Sequence, residues 1–222
     1  MTTLWLITDN KPGHRSQLQG LAQALAARTT VETHWIDTPA GLAAFGHWLT
    51  GRFPPGAALP DPDLILVAGH RTHLAGLATR RARGGKLIAL MRPSLPLGWF
   101  DLCVIPQHDN PPARPNVVAT RGVLNTARPS AEREAGKGLF LIGGPSKHHG
   151  WDRPALLAQI DAILTATPAM RWTLTTSRRT PADTESALLA LRERGVDVRP
   201  VRDTAPGWAM EQVARSAQAW VT

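Results

Sequence analysis

Short apolar runs alternate along the chain with stretches whose apolar residues recur every three or four positions. Residues 3–8 are apolar through Leu4-Trp5-Leu6-Ile7 and predict a buried strand. Leu18, Leu21 and Leu25 then share one face of a helix predicted over 15–28. Residues 31–36 alternate as a strand does and precede a helical stretch at 42–49, and the Pro- and Gly-rich segment 52–62 reads as loop. Residues 63–68 form a continuous apolar strand, followed by a helix over 70–83 that Gly84-Gly85 closes. Further short strands are expected at 86–91, 101–105 and 116–120.

The alternation pauses over 121–137, which is rich in charge, Ala and Ser and has no sustained apolar period. It resumes with a strand at 138–142, a helix at 153–167, a strand at 171–175, a helix at 182–194, a strand at 196–201 and a helix at 210–216. Residues 217–222 read as the opening of one more strand. Apolar strands alternating with helices mean βαβ units and parallel sheets covered on both faces. The fold class expected is therefore α/β, with two Rossmann-like parallel-sheet domains. The expected boundaries are 1–125 for the first domain, 126–137 for a linker and 138–222 for a second domain that is incomplete at its C-terminus.

Composition narrows the function classes. The 222 residues carry 25 Lys+Arg against 17 Asp+Glu, a formal charge of +8, yet aromatics are 5% and there is no Tyr. Stacking platforms for single-stranded nucleic acid are thus poorly supplied, and no recognised nucleic-acid-binding signature occurs. The Arg excess, spread along the chain with abundant Ala, Gly and Pro, reads first as coding bias and second as affinity for small anions. One cysteine, Cys103, excludes an internal disulfide framework and a Cys-based zinc site; it sits in an apolar strand and reads as core. Trp35, Trp48, Trp172 and Trp220 fall in strand or helix patterns and read as packing. No apolar stretch approaches the ~20 residues of a membrane helix, and no secretory signal is visible. A cytoplasmic protein is expected, with no specific nucleic acid as partner and at most a peripheral membrane contact.

In open parallel sheets, ligands bind at the carboxyl ends of strands, so the residues just after each predicted strand are the informative ones. Six of the eight histidines fall in those segments. After the first strand come Asp9, Lys11, Gly13 and His14, a carboxylate and an imidazole in one turn. His14 suits a general base toward a sugar hydroxyl, with Asp9 orienting it or acting as base itself. The competing reading has Asp9 capping the first helix and His14 merely exposed. Later strands lead into His70-Arg71, Arg92 and His108. His70 and His73 have a spacing that could ligate a metal, but no third ligand is evident and no metal is expected.

In the second half, Gly143-Gly144-Pro145-Ser146-Lys147-His148 is the phosphate candidate. Glycines admit close backbone approach, Lys147 adds charge, and the helix after Trp151 would present its positive end. The segment lacks P-loop spacing, and a plain strand-to-helix turn is the competing reading. Ser177, Arg178 and Arg179 add hydroxyl and guanidinium groups at the next strand end, where a capped, solvated loop is the alternative. No G-x-G-x-x-G comes after the first strand, which weakens an NAD-dependent reading.

These segments, taken in order, resemble the mitochondrial fission (elongated mitochondria) family. They are Thr8-Asp9-Asn10-Lys11-Pro12-Gly13-His14 with Gln17, Gly69-His70-Arg71, Arg92-Pro93, Ile105-Pro106-Gln107-His108-Asp109, Gly143 to His148 and Thr175 to Pro181. The chain is also similar to bacterial members often labelled nucleoside-diphosphate-sugar epimerases. The resemblance implies a GT-B glycosyltransferase architecture, two Rossmann-like domains with a cleft between. It implies that Gly143, Gly144, Ser146, Lys147, Ser177, Arg178 and Arg179 face a nucleotide-sugar diphosphate and that His14, with Asp9, faces an unidentified acceptor.

The chain departs from the family pattern in two places. Asn10 stands where the family has Gly, in a position where Asn tolerates left-handed angles. The family also continues beyond Thr222 with a Ser- and Glu-containing segment where GT-B enzymes hold the donor, so an incomplete donor pocket is expected. The expected function is metal-independent sugar transfer from a nucleotide-sugar, with no cofactor. The alternatives are a non-catalytic adaptor of the same fold and, more weakly, a nucleotide-sugar epimerase.

Overall fold

A computed structural model of the chain describes residues 1–127, 133–146, 150–205 and 207–222. The chain divides into two compact units, Met1–Thr126 and Ala127–Thr222.

The first unit runs β1 (Thr2–Thr8), α1 (Pro12–Ala26), β2 (Val31–Asp37), α2 (Gly41–Thr50), β3 (Leu64–Ala68), α3 (His70–Arg83), β4 (Lys86–Leu90), β5 (Leu102–Pro106) and β6 (Val117–Thr120). Its strands form one parallel sheet in the order β2-β1-β3-β4-β5-β6. Both faces of the inner strands β1, β3 and β4 are buried, which is why these read as continuous apolar runs, whereas the edge strand β2 alternates. Trp5, Ile7, Ile65, Val67, Leu87 and Ala89 pack with Ala75 and Ala78 of α3 and Ala44 of α2. The intervening residues Leu4, Leu6, Leu66, Ile88 and Leu90 pack on the opposite side with Leu18 and Ala22 of α1.

The second unit runs β7 (Glu134–Leu141), α4 (Arg153–Ala166), β8 (Arg171–Thr175), α5 (Ala182–Leu189), β9 (Asp197–Arg199), α6 (Trp208–Arg215) and β10 (Ser216–Val221). The described strands form a parallel sheet in the order β10-β7-β8-β9. Phe140 stacks on Trp172 at 4.2 Å between centroids, within a core that includes Leu156, Ile160, Leu174 and Leu188.

Four expectations need correction. The linker expected over 126–137 overlaps β7, which begins at Glu134. There the ladder to β8 and β10 starts before the apolar stretch does, and Glu134 anchors it through Arg171 at 3.3 Å, Arg215 at 2.8 Å and Lys137 at 3.7 Å. The first helix begins at Pro12 rather than Arg15, because proline's fixed φ suits the first helical turn, so Gly13 and His14 are helical. The strand expected over 196–201 shrinks to β9, bounded by Gly195 at φ +81° and by Pro200. Trp35 and Trp220 lie on the edge strands β2 and β10 and are 37% and 43% exposed; Arg15 lies over the Trp35 ring at 4.2 Å. Cys103 is fully buried, and burial pushes its thiol up to about 11, so it is core and not a nucleophile.

Candidate functional site

Strand order decides where a site can form. From β1 the chain crosses to β2 on one side and returns to β3 on the other, so the segments leaving β1 and β3 diverge to opposite faces. Such a reversal opens a crevice at the strands' carboxyl ends. In the second unit β7 is the corresponding strand, flanked by β8 and β10. The two best sequence candidates, the Asp9–His14 segment and the Gly143-Gly144 segment, both leave from these reversal points.

At the first, Asn10 takes the left-handed conformation expected of it, at φ +61°. Its N–H donates to Thr8 Oγ1 and its amide donates to Asp37 Oδ1 at 2.8 Å. This tight turn folds Asp9 back under the start of α1. Asp9 does not cap the helix; the cap position is Lys11, whose N–H donates to Asp9 Oδ1 at 3.2 Å. His14 Nδ1 lies 2.8 Å from the same oxygen. The Asp9 side chain has no solvent exposure and that of His14 only 18%. Burial by itself raises the Asp9 carboxyl, but the hydrogen bonds from His14 and from the Lys11 N–H outweigh it, and the group is held below the usual carboxylate range. A buried carboxylate accepting from Nδ1–H fixes the imidazole tautomer and leaves Nε2 as the basic nitrogen. Asp9 Oδ2 accepts no hydrogen bond among the described residues, and Lys11 Nζ stands 3.7 Å from it.

Gly69, the first residue after β3, completes this arrangement; from the sequence it is named within Gly69-His70-Arg71 but given no role in the site. It sits at φ +88°, and a Cβ there would fall 2.2 Å from His14 Cε1 and 2.5 Å from Nδ1. Its absent side chain is the space the imidazole occupies. A lone Gly between an apolar strand and a helix is the available signal. Gly69→Ala should therefore strain the backbone and push the ring off Asp9. We expect a lower melting temperature and loss of the Nδ1–H tautomer signature in imidazole NMR; unchanged imidazole signals would refute the packing role.

Among the remaining first-unit candidates, Lys11, Gly13, His70, Arg71, Arg92 and His108 are all exposed, each just beyond the carboxyl end of β1, β3, β4 or β5. The Arg71 carbonyl accepts from Thr38 Oγ1. Arg92 is partly committed: its Nη1 donates to the carbonyls of Asp109 at 2.9 Å and Asn110 at 3.2 Å, tying the β4 and β5 loops together. His108 Nε2 is 3.9 Å from Asp109 Oδ1. Beside Arg92, Met91 holds φ +69°, and its sulfur accepts from the buried Gln17 amide at 3.2 Å.

His70 lies in solvent, whereas His73 is 2% exposed, edge-on to Phe100 with Nδ1 3.2 Å from Ser94 Oγ. Burial, assisted by the neighbouring His70 and His14 imidazoles, pushes His73 down to about 4. The unfolded chain takes up a proton here near its ordinary value of 6.5, whereas the folded chain does so only near 4. Stability is therefore lost as pH falls from about 6.5 to about 4, by roughly 3 kcal/mol from this group. Urea unfolding at pH 7 and pH 4.5 should show a clearly smaller difference for His73→Asn than for the parent; equal differences would remove His73 as the cause.

At the second reversal point, the Gly143 N–H donates to Thr222 Oγ1 at 2.9 Å, and a Cβ on Gly144 would lie 2.1 Å from the Arg179 carbonyl oxygen. Thr180 Oγ1 donates to the Gly143 carbonyl at 2.5 Å and accepts from the Ser177 N–H at 2.9 Å, while the Arg179 N–H donates to Ser177 Oγ at 3.2 Å. Thr180 thus joins the loops after β7 and β8, and Ser177 serves their turn. A cavity of about 290 Å³ beside them is lined by Gly144, Ser146, Trp151, Asp152, Gln159 and Arg179, among others. Gly143 and Ser177 line a separate cavity of about 200 Å³. Arg178 and Arg179 are exposed. Lys147 and His148 lie outside the described residues.

One expectation changes here: α4 does not offer a bare positive end. Asp152 caps it, accepting the Ala155 N–H at 2.9 Å, so the carboxylate already answers the helix dipole. Among the described residues, positive charge in this cavity comes from Arg179.

The family profile described as Mitochondrial fission ELM1 matches residues 12–222. The chain belongs to that family. In this member of the ELM1 family, Asp9 and Asn10 precede the matched stretch and His14 lies inside it. An uncharacterized protein of Rickettsia prowazekii (strain Madrid E) is 31% identical over 116 residues, which span 48% of this chain and 32% of that protein.

Among solved structures, a Listeria monocytogenes protein assigned as a UDP-N-acetylglucosamine 2-epimerase matches with a TM-score of 0.62 at 11% identity, covering 99% of this chain and 73% of that one. The S. aureus MnaA–UDP co-structure matches with a TM-score of 0.52 at 13% identity, covering 100% and 74%. At such identities the likeness is one of fold, and the fold is GT-B-like, with two Rossmann-like units.

Proposed function

We propose that the protein transfers a sugar from a nucleotide-sugar donor to a hydroxyl acceptor, without a metal ion. The observation that carries this reading is the Asp9–His14 pair, a buried carboxylate 2.8 Å from Nδ1 of an imidazole seated on Gly69, which suits His14 to act as a general base. In the proposed step, His14 Nε2 takes the proton of an acceptor hydroxyl while that oxygen bonds to the anomeric carbon. The bond from that carbon to the diphosphate oxygen breaks, with inversion at carbon, and the nucleoside diphosphate leaves with the electron pair. The residues offered to the donor are Gly144, Ser146, Arg178 and Arg179, with Gly143 and Ser177 shaping their loops and Lys147 and His148 next in sequence. Guanidiniums placed where the leaving charge develops perform the work a metal would otherwise do. Lys11, Gly13, His70, Arg71, Arg92 and His108 are assigned to the acceptor side, and the cytoplasm is the compartment assigned, since nucleotide-sugars are made there.

The names of the two fold relatives support a uridine nucleotide. We therefore expect a thermal-shift panel of UDP, GDP, ADP, CMP and NAD at fixed salt to show a selective rise with UDP, because a ligand that binds only the folded state stabilises it. UDP release from a UDP-sugar should then require an acceptor and persist in EDTA. No shift with any nucleotide would overturn the reading. The Listeria relative's name favours one second reading, epimerisation of the donor. An epimerised UDP-sugar formed without acceptor would replace transfer with that activity.

A further inference from the structure

We infer that the outer face of α2 docks on an anionic lipid bilayer. Leu42, Phe45 and Leu49 recur at intervals of three and four, which places them on one stripe of the helix. They are 90%, 49% and 61% exposed, while Ala44 on the opposite side is buried in the sheet core. Phe45 stacks on Trp48 at 6.1 Å, which holds an aromatic surface beside the two leucines. Residues 38–60 contain no Asp or Glu, and neither does α3, on which α2 packs; the exposed Asp61 that follows is paired with Arg83 of α3.

Two cations mark the C-terminal end of the stripe. Arg81 of α3 has its guanidinium 5.4 Å from the Trp48 ring centroid, and Arg52 comes directly after the helix cap Gly51. Both are exposed, and neither makes an ion pair among the described residues. Exposed aliphatic and aromatic groups at helical spacing, rimmed by unpaired cations, are complementary to acyl chains beneath anionic headgroups. A second copy fits less well, because its own α2 and α3 carry no Asp or Glu to meet Arg52 and Arg81. At ten residues α2 is about 15 Å long, so it would lie in the interface; no described helix is long and apolar enough to cross a membrane.

The test is co-sedimentation of the full chain with vesicles of phosphatidylcholine alone and of phosphatidylcholine with phosphatidylglycerol. Binding is expected to the anionic vesicles only, weakening as salt rises. Leu42→Glu with Leu49→Glu should weaken it by at least about tenfold with the melting temperature unchanged, and Arg52→Gln should erode the preference for anionic lipid. If the Glu pair loses its native circular dichroism, Leu42→Ser with Leu49→Ser takes its place. Failure to bind anionic vesicles, or equal binding by the leucine variants, would overturn the inference. A concentration-dependent dimer abolished by the same variants, without vesicle binding, would assign the face to a second copy.

Discussion

His14→Ala is expected to lower turnover by roughly 10²- to 10⁴-fold while leaving UDP affinity within about twofold, since the group acts on the acceptor proton and not on the donor. The loss should concentrate in kcat. Asp9→Asn provides the sharper control, because it keeps the shape of the side chain while removing the charge that faces Nδ1 and Lys11. An amide supplies a weaker acceptor or, if turned, a donor, and the donor form favours the tautomer in which Nε2 carries the hydrogen and cannot accept one. Turnover should fall in Asp9→Asn as well, and the double variant should be little worse than His14→Ala alone, as expected of residues acting as a unit. Undiminished turnover in His14→Ala would remove the base. A parallel loss of UDP affinity would mean that the residue binds donor instead.

Gly144→Ala should abolish donor binding more completely than removal of any single donor-side cation. The added Cβ would meet not a flexible side-chain tip but backbone: the Arg179 carbonyl oxygen at 2.1 Å, its carbon at 2.3 Å and the Thr180 nitrogen at 2.8 Å. The loops after β7 and β8 cannot both stay where they are. Overpacking of this kind costs roughly 1–3 kcal/mol, and the displaced segment includes the Thr180 bridge to the Gly143 carbonyl. Calorimetry with UDP and thermal melting, performed on Gly144→Ala beside Arg179→Gln, would separate geometry from charge. The glycine variant should lose both stability and binding; Arg179→Gln should lose affinity at unchanged stability. Wild-type UDP affinity in Gly144→Ala would place the donor elsewhere.

How far the sequence reaches differs between elements. The apolar runs of β1, β3 and β4 are legible because both sheet faces are buried there, so nearly every inner position is apolar, whereas β8 is legible from its alternation of Trp172 and Leu174 with Arg171, Thr173 and Thr175. The start of β7 is hidden because its first residues, Glu134 to Lys137, are held by ion pairs and a hydrogen-bonded ladder, neither of which leaves an apolar period. The capping role of Asp152 is masked by the expectation of a bare helix end, although Asp one residue before Arg153-Pro154 is an ordinary capping sequence. Asp9 reads both as orienter and as helix cap, and sequence alone does not choose between them. The choice comes from Asn10, whose left-handed turn aims the carboxylate at His14.

By itself the sequence determined the class of fold, two sets of parallel α/β units, and the segments at strand ends where chemistry is concentrated. These are local properties, carried by apolar period, glycine and proline punctuation and residue type within a few positions. Tertiary structure alone decided which strand ends become neighbours. The reversal of strand order at β1 brings Gly69 against His14 across 55 residues, and the loops from β7 and β8 set Gly144 on the Arg179 carbonyl. The same packing buries His73 while leaving His70, three residues earlier, in solvent. Strand order is fixed by which apolar faces cover one another over the whole unit. No window of sequence around any one of these residues contains that information.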